Sequence, residues 1–181
     1  FATTLTSIPA AAGYLTIPAK RKTSSKHKSN QAPHPQIGFV WAGNAKHYND
    51  RARSIPLATF QPLLSVLPAD YICLQQPLPE HVRQTISAAN IHFPDETLND
   101  FAATAAIIAG LDLVITVDTA VAHLAGAMGK AVWILLAYNN DWRWLTERAD
   151  SPWYHSARLF RQPVLGDWQS VINEVSQALT Q

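Results

Sequence analysis

The stretch DLVITVDTAVAHLAGAMGKAVWILL, residues 112–136, brings an acid, a hydroxyl and an imidazole close together as Asp118, Thr119 and His123. An apolar run ends at the first two, and a helical pattern begins at once. The opening N–H groups of such a helix have no intrahelical partner and carry roughly half a positive charge, which suits a phosphate or diphosphate. Ala120, Ala122, Ala125, Gly126 and Ala127 keep the helix slim, so a ligand can approach its backbone near Ala120 and Val121. His123 lies one turn after Thr119, shares its face and can donate to an anionic oxygen. The same residues also satisfy a plainer description. Asp and Thr cap helices with a gain of about 1 kcal/mol and no ligand, and a histidine on an apolar helix is often a core residue.

Two further groups could join this corner. WAGNAKHYNDRARS, residues 41–54, offers Gly43 and Asn44 for a tight turn and Lys46, His47, Arg51 and Arg53 as positive groups. It is neither the G-x-G-x-x-G fingerprint of dinucleotide-dependent dehydrogenases nor a Walker loop, and a solvated loop would have the same composition. The segment 138–163 holds Trp142, Trp144, Trp153 and Tyr154 beside Asp141 and Arg143. That mixture fits a sugar or base surface, and equally a covering loop packed on a strand.

Residues of this kind need a scaffold, and the chain supplies one. IGFVWAG (37–43), YICL, IHF, LVITV and AVWILL are short apolar runs expected to be strands buried on both faces, with ARLF a sixth. Between them lie helical patterns: 56–67, shortened or kinked by Pro62; 79–89, with Pro79 in its first turn; and TLNDFAATAAIIAGL. In the last, Leu98, Phe101, Ala105 and Ile108 are spaced to face a core and Thr97 is the expected cap, with Asp100 in the first turn. AVAHLAGAM and the terminal DWQSVINEVSQAL complete the set. Strand and helix alternate, which predicts an α/β fold, a Rossmann-like doubly wound parallel sheet. In a 3-2-1-4-5 strand order, the loops after strands one and four are neighbours at one crevice.

Composition narrows the function classes. The 181 residues suffice for one well-buried domain with a tail. No apolar run is long enough to span a membrane, and no secretory leader is evident. The single cysteine, Cys73, excludes an internal disulfide and reads as a small buried hydrophobe, which fits a cytoplasmic protein. No metal-ligand cluster is visible. Net charge is +1, yet no acid precedes Asp50, whereas Lys20, Arg21, Lys22, Lys26 and Lys28 crowd one Ser- and Pro-rich segment. Without interleaved aromatics for base stacking, that segment reads as a linker and not as a nucleic-acid grip. Phe at position 1 suggests a piece of a longer polypeptide.

The 112–136 stretch, followed by DWRW and SPWY…RLFRQ and preceded by GFVWAGN and NDRARSIPL, resembles the C-terminal domain of glycosyltransferase family 9, the ADP-heptose:lipopolysaccharide heptosyltransferases. The resemblance is greatest to the branch found in bacterial tetratricopeptide-repeat proteins. It implies the C-terminal half of a two-domain GT-B enzyme, with residues 1–18 a remnant of the N-terminal acceptor domain, 19–36 a basic linker and 37–181 the nucleotide-sugar-binding domain. It implies that Asp118, Thr119, Ala120, Val121 and His123 contact the donor diphosphate and ribose, that Arg53 neutralises the diphosphate and that Gln75 contacts the nucleoside. Asn44, Lys46, Asp141, Trp142 and Arg143 complete the expected donor site. The general base is expected in the missing acceptor domain, so the fragment alone is expected to be inactive. A nucleotide sugar, possibly ADP-heptose, is the expected substrate, with no cofactor or metal. The expected partners are that domain and tetratricopeptide repeats. Ala120 replaces the Gly that many heptosyltransferases carry after Asp-Thr, adding a methyl group near the phosphates. A non-catalytic nucleotide-binding or scaffolding module, and half of a sugar-nucleotide epimerase, are the alternative readings.

Overall fold

The computed structural model describes residues 3–8, 13–17, 34–88, 90–94, 98 and 100–181. Six strands form one parallel sheet: β1 (Gln36–Val40), β2 (Asp70–Cys73), β3 (Ile91–His92), β4 (Leu113–Val117), β5 (Val132–Leu136) and β6 (Ala157–Arg161). Their order is β3-β2-β1-β4-β5-β6, so the chain builds outward from β1 and then returns to its other side. This is the α/β fold that the alternating pattern predicts. The reversal between β1 and β4 leaves a crevice at their carboxyl ends, because the crossovers on either side run to opposite faces.

Alternation along each strand distributes two cores. Phe39, Ile115 and Val117 join one cluster, while Val40 and Val114 join the other. On the first face the sheet is covered by α2 (Leu57–Phe60), a following 3-10 turn (Gln61–Ser65) and α6 (Trp168–Leu179), through Phe60, Leu63, Val171, Ile172 and Val175. On the second it is covered by α4 (Phe101–Ala109) and α5 (Ala120–Ala127), through Ile108, Ala122 and Ala125. Two short helices, α1 (Asp50–Arg53) and α3 (Glu80–Thr85), complete the crossovers. The helix broken at Pro62 is the kink expected there, since the ring cannot continue an i→i−4 ladder. Cys73 is buried, and burial pushes its thiol up to about 11, as befits a packing residue.

Three expectations need correction. The first strand stops at Val40, three residues short of Gly43, and the 79–89 helix is realised only as Glu80–Thr85. The first helical residue of α4 is Phe101, with Asp100 in the cap position, where its carboxylate accepts from the Ala103 amide at 2.7 Å. Thr97, the expected cap, lies outside the described residues. Phe101, the opening residue of the helix, is 66% exposed, and Thr104, Ala105 and Ile108 are among the buried residues. The boundary at 18/19 lies outside the described residues, as do Lys20, Arg21, Lys22, Lys26 and Lys28, whereas 36/37 falls within β1, which opens at Gln36. Of the N-terminal part, Leu15 donates its amide to the Ala127 carbonyl at 2.9 Å, which ties residues 13–17 to the end of α5.

A pair of buried glutamines trims the carboxyl edge of the sheet. Gln75, just past β2, accepts from the Ala42 amide at 3.0 Å, and Gln162, just past β6, accepts from Tyr138 at 3.0 Å and Gly166 at 3.1 Å. Each supplies an acceptor where the neighbouring strand has run out of ladder partners, because a buried amide left alone is costly.

Candidate functional site: a split cleft at the β1/β4 edge

Two adjoining hollows open at the carboxyl ends of β1, β4 and β5. The larger, about 760 Å³, is mainly apolar and includes Val40, Leu74, Leu98, Phe101 and Val121 in its wall. The smaller, about 490 Å³, is polar and includes Asn139, Asn140, Asp141 and Arg143. Arg53, Asp118 and His123 line both and so mark the ridge between them.

Arg53 reaches that ridge because the β1 loop is built around it. Ser54 accepts from the Gly43 amide at 2.9 Å and donates to Asp50 at 3.0 Å, closing the loop on itself. Any methyl group at Gly43 would sit 2.6 Å from the Arg53 guanidinium and 2.7 Å from the Asp50 carboxylate, so glycine is needed for this approach. Arg53 then donates through Nε to Asp50 at 3.4 Å and through Nη1 to the Asp118 carbonyl at 3.1 Å. The second bond joins the β1 loop to the end of β4 across the switch point.

Thr119 holds the N-cap position of α5 with extended backbone, yet its side chain caps nothing. Thr116 donates to the Val117 carbonyl at 2.8 Å, so its oxygen is left to accept from the Thr119 hydroxyl at 3.0 Å. The opening amides of α5 are therefore not taken by the capping side chain. This removes the plainer explanation of Thr119 and leaves fixed donors at the floor of the cleft.

His123 is held on three sides. Its ring stacks on buried Trp144 with centroids 5.1 Å apart and meets the Tyr154 ring edge-on at 5.8 Å. Nδ1 is 3.0 Å from the Tyr154 hydroxyl, and Nε2 is 3.8 Å from Asp118 Oδ1. Burial lowers its pKa below the usual histidine value, and the nearby Asp118 carboxylate offsets only part of this.

The remaining wall is the loop after β5. Arg143 donates its amide and its guanidinium to Asp141, at 3.0 and 2.8 Å, and its guanidinium lies 4.7 Å over the Trp142 ring. Leu145, just beyond, takes a positive φ of 55°, a conformation that favours glycine and costs of order 1–3 kcal/mol. The loop is held in spite of this by Asn140, which donates to the Leu145 carbonyl at 2.9 Å, and by Arg161. The latter reaches Asn140 at 2.9 Å and the Trp144 and Arg148 carbonyls.

Of the expected site residues, the structure brings Asn44, Arg53, Asp118, Thr119, Ala120, Val121, His123, Asp141 and Arg143 to the cleft. Trp142 stands at its side, 64% exposed, in a smaller hollow of about 240 Å³ with Trp153, Tyr154, Arg143 and His123. Gln75 is not in the cleft: it is buried, its carbonyl oxygen is committed to Ala42, and the neighbouring Gln76 lines the hollow instead. Lys46 is exposed and lines neither hollow. Pattern reading missed Asn139 and Asn140, whose position directly after an apolar strand was the available signal, and the bond from Tyr154 to His123, for which there was none. Among the described residues no group of three or more His, Cys, Asp or Glu is placed to hold a metal ion, and no helix is long and apolar enough to cross a membrane.

Comparison with known proteins agrees with this fold. The chain is similar to Protein FlbA of Caulobacter vibrioides, 29% identical over 156 residues, which covers 81% of this chain and 25% of that protein. It thus spans only a quarter of that relative. Among solved structures, that of E. coli ADP-heptose lps heptosyltransferase II superposes with a TM-score of 0.60 at 15% identity, over 92% of this chain and 54% of that one. The glycosyl transferase family 9 structure from Veillonella parvula gives 0.60 at 14% identity, over 94% and 47%. Residues 93–164, which run from the end of β3 past β6 and carry Asp118, Thr119, His123 and the aromatic loop, match the model of glycosyltransferase family 9 (heptosyltransferase), and the sheet around them has the fold of the GT-B heptosyltransferase structures.

Proposed function

We propose that this chain is the donor-binding half of a GT-B glycosyltransferase and grips a nucleotide-diphosphate sugar, with ADP-heptose a candidate, across the ridge formed by Arg53, Asp118 and His123. The observation that carries the proposal is the bond from Arg53 to the Asp118 carbonyl, which sets a guanidinium beside the open first turn of α5. The apolar hollow by Phe101 and Val121 suits a nucleoside, the ridge suits the diphosphate, and the polar hollow by Asp141 and Arg143 suits sugar hydroxyls.

Cleavage of the sugar–phosphate bond puts negative charge on the departing diphosphate. Amide dipoles, the Arg53 guanidinium and a donating His123 would stabilise that charge in place, with no reorganisation at the moment of transfer. The acceptor and its general base would come from a facing N-terminal domain of a longer protein, alongside tetratricopeptide repeats, in the cytoplasm. Isothermal calorimetry with ADP, GDP and UDP tests the reading directly. One of them is expected to bind saturably, and the absence of binding by all three at millimolar concentration would end it.

A further inference from the structure

We infer that Tyr154 is a positioning residue: from behind the cleft it holds His123 in the tautomer whose Nε2–H faces the ligand. The inference starts from how the phenol is seated. Its ring lies on Gly126, where a methyl group would come 2.4 Å from Tyr154 Cγ, so the bare α5 backbone is what admits it. The hydroxyl then stands 3.0 Å from His123 Nδ1, while Trp144 stacks on the imidazole and fixes its plane.

The direction of each proton follows from the groups around the ring. Asp118 faces Nε2 from the end of β4, at 3.8 Å. Asp141 and Arg143 act on the imidazole from the loop after β5, and Arg53 lines the same hollow. A lone pair on Nε2 would point at the Asp118 carboxylate, which is unfavourable, so the proton of the neutral ring belongs on Nε2. Nδ1 is then an acceptor, and the Tyr154 hydroxyl must donate to it. Burial pushes the Tyr154 phenol up to about 12, so it keeps its proton, and the lowered His123 pKa keeps the ring neutral. The result is a Tyr154 O–H donated to His123 Nδ1 and an Nε2–H aimed at the site where the proposed diphosphate would bind.

The test uses the whole chain and the conservative variant Tyr154→Phe. Long-range ¹H–¹⁵N correlation of the histidine rings reads the tautomer without any ligand. Wild type should carry the His123 proton on Nε2, and Y154F should spread it over both nitrogens. A wild-type ring protonated on Nδ1, or a Y154F ring with the wild-type pattern, overturns the inference. Should Y154F fail to fold, the wild-type spectrum decides alone, because a His123 proton on Nδ1 overturns the inference there. The affinity arm rests on the donor reading: Y154F, checked to be folded by its thermal melt, should bind the tightest of ADP, GDP and UDP about tenfold more weakly. If wild type binds none of them, the donor reading falls while the tautomer spectrum still judges the relay.

Discussion

Replacing Arg53 by Met separates the two tasks that the structure gives this residue. In the unliganded chain the guanidinium is bonded to the Asp118 carbonyl at 3.1 Å and to Asp50 at 3.4 Å. A hydrogen bond from a charged donor contributes about 1.5–3 kcal/mol. Here the lower end applies, since the carbonyl borders an open hollow where water can replace the lost donor. The Asp50 pair, with side chains 18% and 16% exposed, adds about 0.5 kcal/mol. The folding loss should therefore be about 2 kcal/mol, and at roughly 2–4 °C per kcal/mol for a domain of this size the melting temperature should fall by about 4–8 °C. Nucleotide binding should suffer separately. Loss of one charge-assisted contact to a diphosphate corresponds to about tenfold to a hundredfold weaker affinity. Arg53→Lys should fall between, because a lysine keeps the charge but not the fork that serves two acceptors at once. Calorimetry of all three proteins with the nucleotide that binds wild type, paired with thermal melts, reads both quantities. A folded R53M chain that binds as tightly as wild type would refute the argument that the guanidinium faces the phosphates.

Three other perturbations address the scaffold and the imidazole. Gln162→Ala strips the shared acceptor from the Tyr138 and Gly166 amides and should cost about 1–3 kcal/mol in urea unfolding. Gln75→Ala should also lose stability, by less, since one amide and not two is orphaned, and a large stability loss with Q75A but none with Q162A would contradict the edge-trimming role. His123→Gln should change the pH dependence of stability. Burial holds the folded His123 pKa below the ordinary 6.5, so the unfolded chain takes up a proton first as pH falls; stability is lost from about 6.5 downward until the folded pKa is passed. Wild type should thus lose more melting temperature than H123Q between pH 7.5 and about 5.5, and parallel slopes would show that the imidazole is not desolvated as described.

The amino-acid order by itself determined the alternation of strands and helices, the parallel sheet and the presence of Asp118, Thr119 and His123 at a strand-to-helix junction. These are local properties: β4 is a run of apolar residues bounded by polar ones, and α5 is a run of small residues too slim to be anything but close-packed on a sheet. Burial periodicity and backbone sterics act within a few residues, so they are written in neighbouring letters. What only the tertiary structure decided is which polar group meets which. Arg53 finds a carbonyl 65 positions away and His123 finds a phenol 31 positions away, while Gln75 turns inward to an amide and leaves the cleft to Gln76. Phe101 and Trp144 carry similar aromatic surface, yet one is exposed over the cleft and the other is buried beneath His123. A hydrogen bond needs its partners within about 3 Å and properly aimed, and that proximity arises only once the crossovers have folded the strand ends onto one edge.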